Sequence, residues 1–215
     1  MLQTLKKTLM KACALAFIAV VPTASAAILD VGPPTSTHSG TVRGYWFTAP
    51  EDITITGIGY PTDAGDGLFS VALLELNSPP PTFSSTTNDF DTRFLAQNIA
   101  GTALLEMNEF FEAGDVIGVL GLRNGVNSYG NGGYVSSING NPVTLSRFGM
   151  QFSLNDTAPQ DVWSESGGPI SRVTLEFQLG RVDPGDDAMQ VSEPASLALL
   201  GIGLIGMGIA RRRRA

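Results

Sequence analysis

Apolar positions fall into one continuous run near each end of the chain and, between them, many short runs cut by turn residues. Ile53-Thr54-Ile55-Thr56-Gly57-Ile58 alternates apolar with small polar residues, the pattern of a half-buried strand. Thr41 to Ala49 is aromatic and β-branched and stops at Pro50, and Leu68 to Leu76 is closed by Asn77-Ser78 and three prolines, Pro79, Pro80 and Pro81. Val116 to Leu122 follows the turn Ala113-Gly114-Asp115; Arg147 to Leu154 and Ile170 to Leu179 complete the longer candidates. Shorter ones lie near 93–98, 102–107 and 134–145. No segment between them has helical periodicity with caps. Short strands separated by Gly, Pro, Asn and Asp predict an all-β passenger over residues 27–183, an antiparallel β-sandwich or jelly roll. Ala72 to Asn77 and Ala103 to Asn108 differ at one position but have divergent flanks, so they read as two similar strands rather than a repeat. The polar stretch beginning Asp183-Pro184-Gly185-Asp186-Asp187 predicts a linker over 184–191.

The apolar run near the N-terminus has the parts of an export signal over residues 1–26. Lys6, Lys7 and Lys11 precede Ala12 to Val21, which at about ten residues is too short to span a bilayer. Pro22 breaks the run, and Ala24-Ser25-Ala26 offers the small residues that signal peptidase requires. Cleavage is expected between Ala26 and Ala27.

The C-terminal run, Ala195 to Ala210, rises ~24 Å as a helix, slightly under the hydrocarbon thickness. Arg211, Arg212, Arg213 and Arg214 follow it, and long Arg side chains snorkel to recover such a deficit. By the positive-inside bias these arginines form a cytoplasmic stop, leaving the passenger on the far side, where the N-terminal signal also sends it. A plain anchor would not need the Ser192-Glu193-Pro194 motif that precedes the span. Pro194 biases Glu193 towards an extended conformation, the form in which proteases hold substrates. Together, Glu193-Pro194, a transmembrane helix containing Gly201, Gly203, Gly206 and Gly208, and the Arg run resemble the PEP-CTERM sorting signal. Ser192 stands where that family usually has Pro. The resemblance covers residues 192–215. It implies an exosortase-type membrane protease as partner, transient single-pass anchoring, and delivery to the cell surface or extracellular matrix. About the passenger's chemistry it implies nothing.

Charge changes the picture of the passenger. The chain has 13 Lys and Arg; three lysines and four arginines belong to the two ends, so in the exported part six basic residues face all 20 acidic ones, which run from Asp30 to Glu193, a net charge of −14 without a single Lys. Such a surface repels phosphate backbones and excludes nucleic-acid binding. It favours solubility, and could attract divalent cations or basic partners. The one cysteine, Cys13, lies inside the export signal, so no disulfide supports the mature domain.

Candidate chemistry is sparse. His38 is the only histidine, and it sits in a polar segment near the new N-terminus, where order is commonly lost, so no triad is built on it. Asp63/Asp66, Asp89/Asp91 and Asp183/Asp186/Asp187 could ligate calcium or simply serve turns; none has EF-hand spacing. A glycosidase pair cannot be singled out among 20 acids. Asn124 to Tyr134 gathers amides, glycines and two tyrosines, Tyr129 and Tyr134, which read either as a saccharide contact or as a hairpin loop covering the sheet edge. Trp46 and Trp163 read as core anchors. The expectation is an exported, non-enzymatic surface or matrix protein without a cofactor, handled by signal peptidase and an exosortase and binding extracellular polysaccharide. The alternatives are a secreted glycan hydrolase and a permanently anchored envelope protein.

Overall fold

The computed structural model describes residues 25–150, 154 and 161–182, and these contain no α-helix. In chain order the strands are β1 (Ala27–Ile28), β2 (Ser36–Ser39), β3 (Arg43–Thr48), β4 (Ile53–Gly59), β5 (Phe69–Leu76), β6 (Phe90–Ile99) and β7 (Leu105–Phe111). They continue as β8 (Val116–Arg123), β9 (Val126–Tyr129), β10 (Tyr134–Ile138), β11 (Asn141–Met150), β12 (Val162–Ser164) and β13 (Thr174–Leu179). One sheet runs β1-β13-β4-β7. The other runs β10-β11-β3-β8-β5-β6, with β12 on β11 and β9 joining β2 to β8. Every ladder between these strands is antiparallel, as the sequence pattern predicts. Residues 1–24, the linker 184–191 and the sorting segment 192–215 with its expected transmembrane helix lie outside the described residues. Among the described ones, no helix is long and apolar enough to cross a membrane.

Side chains alternate across a strand, so each strand of the larger sheet offers one face to the smaller sheet. Tyr45, Phe47, Val71, Leu73, Ile117, Val119 and Leu145 of the larger sheet form one cluster with Ile53, Ile55, Ile58, Phe111, Leu175 and Phe177 of the smaller. The larger sheet's opposite face carries a second cluster of Ala72, Leu74, Leu76, Leu120, Leu122, Phe148, Met150 and Val162. Strand β8 is therefore buried along its whole length and β5 along nearly all of it. That is why both read as continuous apolar runs rather than alternating ones. Close strand packing also selects Gly44: a Cβ there would run into the Val119 carbonyl.

Several boundaries differ from expectation for local reasons. The stretch 134–145 is two strands, because Asn139-Gly140 takes positive φ at both residues (50° and 81°) and turns β10 back onto β11. Asn124-Gly125 does the same (48° and 76°) between β8 and β9. These are the left-handed conformations that a tight two-residue hairpin requires. The segment around His38, expected to lack order, is β2, paired residue for residue with β9. The strand expected from Arg147 begins earlier, at Asn141. In β4 the alternation suggested one wet face, yet Thr54 is fully buried. Its hydroxyl donates to the Gly180 carbonyl at 2.7 Å and accepts from the Val182 amide at 3.2 Å, so the chain after β13 closes over it.

Polar contacts tie the two sheets at both lateral edges. On one side Arg93 of β6 reaches Glu109 of β7 at 3.0 Å and Glu75 of β5 at 2.5 Å. On the other, the Tyr134 hydroxyl of β10 donates to Asp30, just beyond β1, at 2.6 Å.

Candidate functional site

Strand β11 is long enough to hold two partners end to end on one edge. Its opposite edge lies on β3; this one pairs with β10 through 141–145 and with β12 through 148–150. Ser146 and Arg147 fall in the gap between them. The gap is a cleft of about 240 Å³ lined by Gly133 on one side, Ser146 and Arg147 on the floor, and the turn Ser164 to Gly168 on the other. The turns face each other so closely that a Cβ on Gly132 would strike the Gly168 carbonyl.

Ser146 also borders the outer face of the larger sheet. There Trp46, Thr48, Pro142, Val143, Thr144 and Ser146 line a second depression of about 270 Å³. Trp46 faces outward because Tyr45 and Phe47 on either side of it enter the shared core. Its indole is half-buried against the second cluster, and its Nε1 donates to the Ser164 hydroxyl at 3.0 Å, which fixes the ring. Ser146 stands directly opposite Trp46 across the ladder. The groove beside Trp46 thus has an aromatic platform and hydroxyls, and it adjoins the cleft, which carries the charge, at Ser146.

The charged end centres on Glu165. Arg43 Nε lies 3.0 Å from one carboxylate oxygen, Arg147 Nε donates to the other, and Trp163 Nε1 donates to the first at 3.1 Å. Arg147 also donates to the Pro169 carbonyl at 2.6 Å, which anchors the turn forming the cleft wall. The two guanidiniums cover aromatic faces, Arg43 over Trp163 at 5.3 Å and Arg147 over Tyr129 at 5.2 Å. Two stacked, half-buried guanidiniums meeting a single carboxylate, each through its Nε, make a fixed wall rather than a mobile surface pair.

The residues singled out from sequence are mostly engaged elsewhere. Tyr129 is only 6% exposed, sandwiched near Arg147 and His38, whose ring stacks 6.4 Å away. Tyr134 is half-buried, and its bond to Asp30 raises the phenol's pKa while lowering that of the carboxyl. The loop that contains both instead contributes Gly133 to the groove. Its middle is not a loop at all, since Val126–Tyr129 is β9. Trp163 is buried as expected. Trp46, expected to be a core anchor, lines the groove. The signal that locates it is its place between two core-facing aromatics.

Asp63 bonds Arg172 at 2.6 Å and the Ser128 hydroxyl at 3.0 Å, and Asp89 accepts from Asn77 at 2.6 Å. Asp66 and Asp91 are exposed, and Asp183, Asp186 and Asp187 lie outside the described residues. Among the described residues no group of three His, Cys, Asp or Glu side chains could hold a metal ion. A separate cleft of about 320 Å³ is lined by Glu75, Arg93, Phe110, Glu112, Asp115 and Arg181, with Glu75 tied to Arg93. Of the expected signal-peptidase positions, Ala24 lies outside the described residues, Ala26 is exposed coil, and Ala27 opens β1. Ser192, Glu193, Pro194 and Arg211 to Arg214 also lie outside them.

Comparison with known proteins places a family on one segment. Residues 190–214 match the PEP-CTERM protein-sorting motif. No curated protein and no solved structure matches the chain. The motif indicates an exported protein sorted at the membrane by an exosortase, towards the cell surface.

Proposed function

We propose that this exosortase-sorted exported protein is a non-enzymatic component of the cell surface or extracellular matrix, and that its passenger holds polysaccharide in the groove beside Trp46. The observation that carries the sorting half is the motif at 190–214. On this reading signal peptidase cuts between Ala26 and Ala27, the apolar tail anchors the chain transiently, and the exosortase processes it near Glu193-Pro194. The passenger is a two-layer β-sandwich with a further apolar layer on its outer face, and it needs no cofactor. The ligand half is supported by the groove's materials, a fixed indole beside serine and threonine hydroxyls, which suit a sugar's apolar face and its hydroxyl rim.

Two measurements test it. The mass of the mature protein should match a chain that begins at Ala27 and lacks Arg211 to Arg214; a retained arginine tail would instead mean a permanently anchored envelope protein. Incubation with extracellular polysaccharide should give retention without release of shortened sugars. Shortened products would establish the hydrolase alternative.

A further inference from the structure

We infer that the groove selects a neutral, hydroxyl-rich glycan and rejects acidic ones, with Trp46 as the stacking platform; this rests on the polysaccharide-binding reading of the same site. Three observations lead there. Among the described residues no charged side chain lines the groove beside Trp46, where Thr48, Thr144 and Ser146 offer only hydroxyls that both donate and accept. In the adjoining cleft the cations among the described residues are already committed: Arg147 donates to Glu165 and to the Pro169 carbonyl, and Arg43 is paired with the same Glu165 while covering Trp163. An acidic sugar would have to displace Glu165 from two guanidiniums, leaving one half-buried carboxylate to repel it. Finally, the domain around the groove has six basic residues against 20 acidic ones across the exported span, a field that opposes approach of any polyanion.

A neutral glycan meets none of these costs. Its ring face covers the indole, and its hydroxyls replace water on the threonine and serine side chains. Such binding depends little on ionic strength, because no counterions are exchanged.

The test uses the whole exported protein in native gels cast with dextran or laminarin as neutral probes and alginate as the acidic one, at low and high salt. Retardation is expected in at least one neutral polymer, unchanged by salt, and none in alginate. Trp46→Ala should weaken it about tenfold, the loss of one stacked ring, and Trp46→Phe should restore most of it. Thr144→Glu, at an exposed position outside the core, should abolish it without altering the circular dichroism spectrum. Salt-sensitive retardation in alginate alone would overturn the inference while leaving polysaccharide binding intact. Retardation in none of the three would overturn both, and neutral binding untouched by Trp46→Ala and Thr144→Glu would overturn the assignment of the groove.

Discussion

Arg123 offers the sharpest test of how this sandwich is held together. It is 2% exposed at the end of β8, and it donates to four backbone carbonyls: Tyr60 at 2.9 Å, Pro61 at 3.2 Å, Gly67 at 2.8 Å and Gly101 at 3.1 Å. Its guanidinium also lies over the Phe69 ring at 5.1 Å. Among the described residues no carboxylate pairs with it, so the carbonyl dipoles alone offset the cost of burying the charge. Two connections, β4 to β5 at both 60–61 and 67 and β6 to β7 at 101, thus converge on one fork. Arg123→Met removes all four donors. Carbonyls in the outer turns regain water as those turns open, whereas those of Tyr60 and Pro61 sit closer to the core. With about 1–3 kcal/mol for each acceptor left dry, the expected loss is about 3–5 kcal/mol. Arg123→Lys keeps the charge but has three donors on one atom and cannot span the fork, so it should lose roughly half as much. Urea unfolding followed by tryptophan fluorescence reads both; with a slope of about 2 kcal/mol/M the methionine variant's midpoint should fall by about 2 M. A methionine variant within about 1 kcal/mol of the parent, or a lysine variant indistinguishable from it, would refute the argument that the fork organises these connections.

Alkaline pH should weaken the fold by a defined route. Burial pushes the Tyr60 hydroxyl up from 10.0 to about 12, and Tyr45 is pushed up further by the same cause. The folded state keeps a proton that the unfolded chain releases, so stability is full below pH 10.0 and falls as pH rises towards about 12, by about 3 kcal/mol for Tyr60. Tyr60→Phe should roughly halve the slope of stability against pH in that window, although it also removes the bond to the Ser128 amide at 2.7 Å and lowers stability at neutral pH. At the opposite extreme, Asp30 has a lowered pKa because Tyr134 and the Gly32 amide donate to it. Its small contribution is present above 3.8 and lost as pH falls through the lower folded value, and Tyr134→Phe should move the Asp30 carboxyl resonance titration upward. Gly132→Ala should cost about 1–3 kcal/mol by forcing the turn away from Gly168, and should weaken glycan retention by widening the cleft. Thermal unfolding and native-gel retardation measured together check it; loss of neither would mean that the two turns are not in register.

How much of this was readable from the chain depends on how local the cause is. Apolar runs bounded by turn residues locate the longer strands, because a strand's burial follows from its own side chains. Asn124-Gly125 and Asn139-Gly140 carry their hairpins in two residues each, a signal stronger than the composition of the loops around them. β2 is different: Ser36-Thr37-His38-Ser39 has no apolar face, and it is a strand only because β9 supplies its hydrogen bonds. The groove was not readable at all, since the gap at Ser146 and Arg147 exists only because β10 and β12, separated in sequence, dock on the same edge of β11.

The near-identical hexapeptides mark the boundary most clearly. Ala72 to Leu76 lies inside the larger sheet with apolar layers on both faces, and its leucines are buried. Leu105 and Met107 of β7 lie at the edge of the smaller sheet and, like Leu104 just before it, are only half-buried, with Glu106 exposed. Strand character is encoded in each hexapeptide; position in the sheet is not, because it depends on which distant strands arrive on either side. The same division runs through the whole protein. The sorting motif is a short linear stretch read by another protein, so its residues in order are sufficient. The direction in which Trp46 faces, and the partners that occupy Tyr129 and Tyr134, are set by long-range packing, and only the tertiary structure decides them.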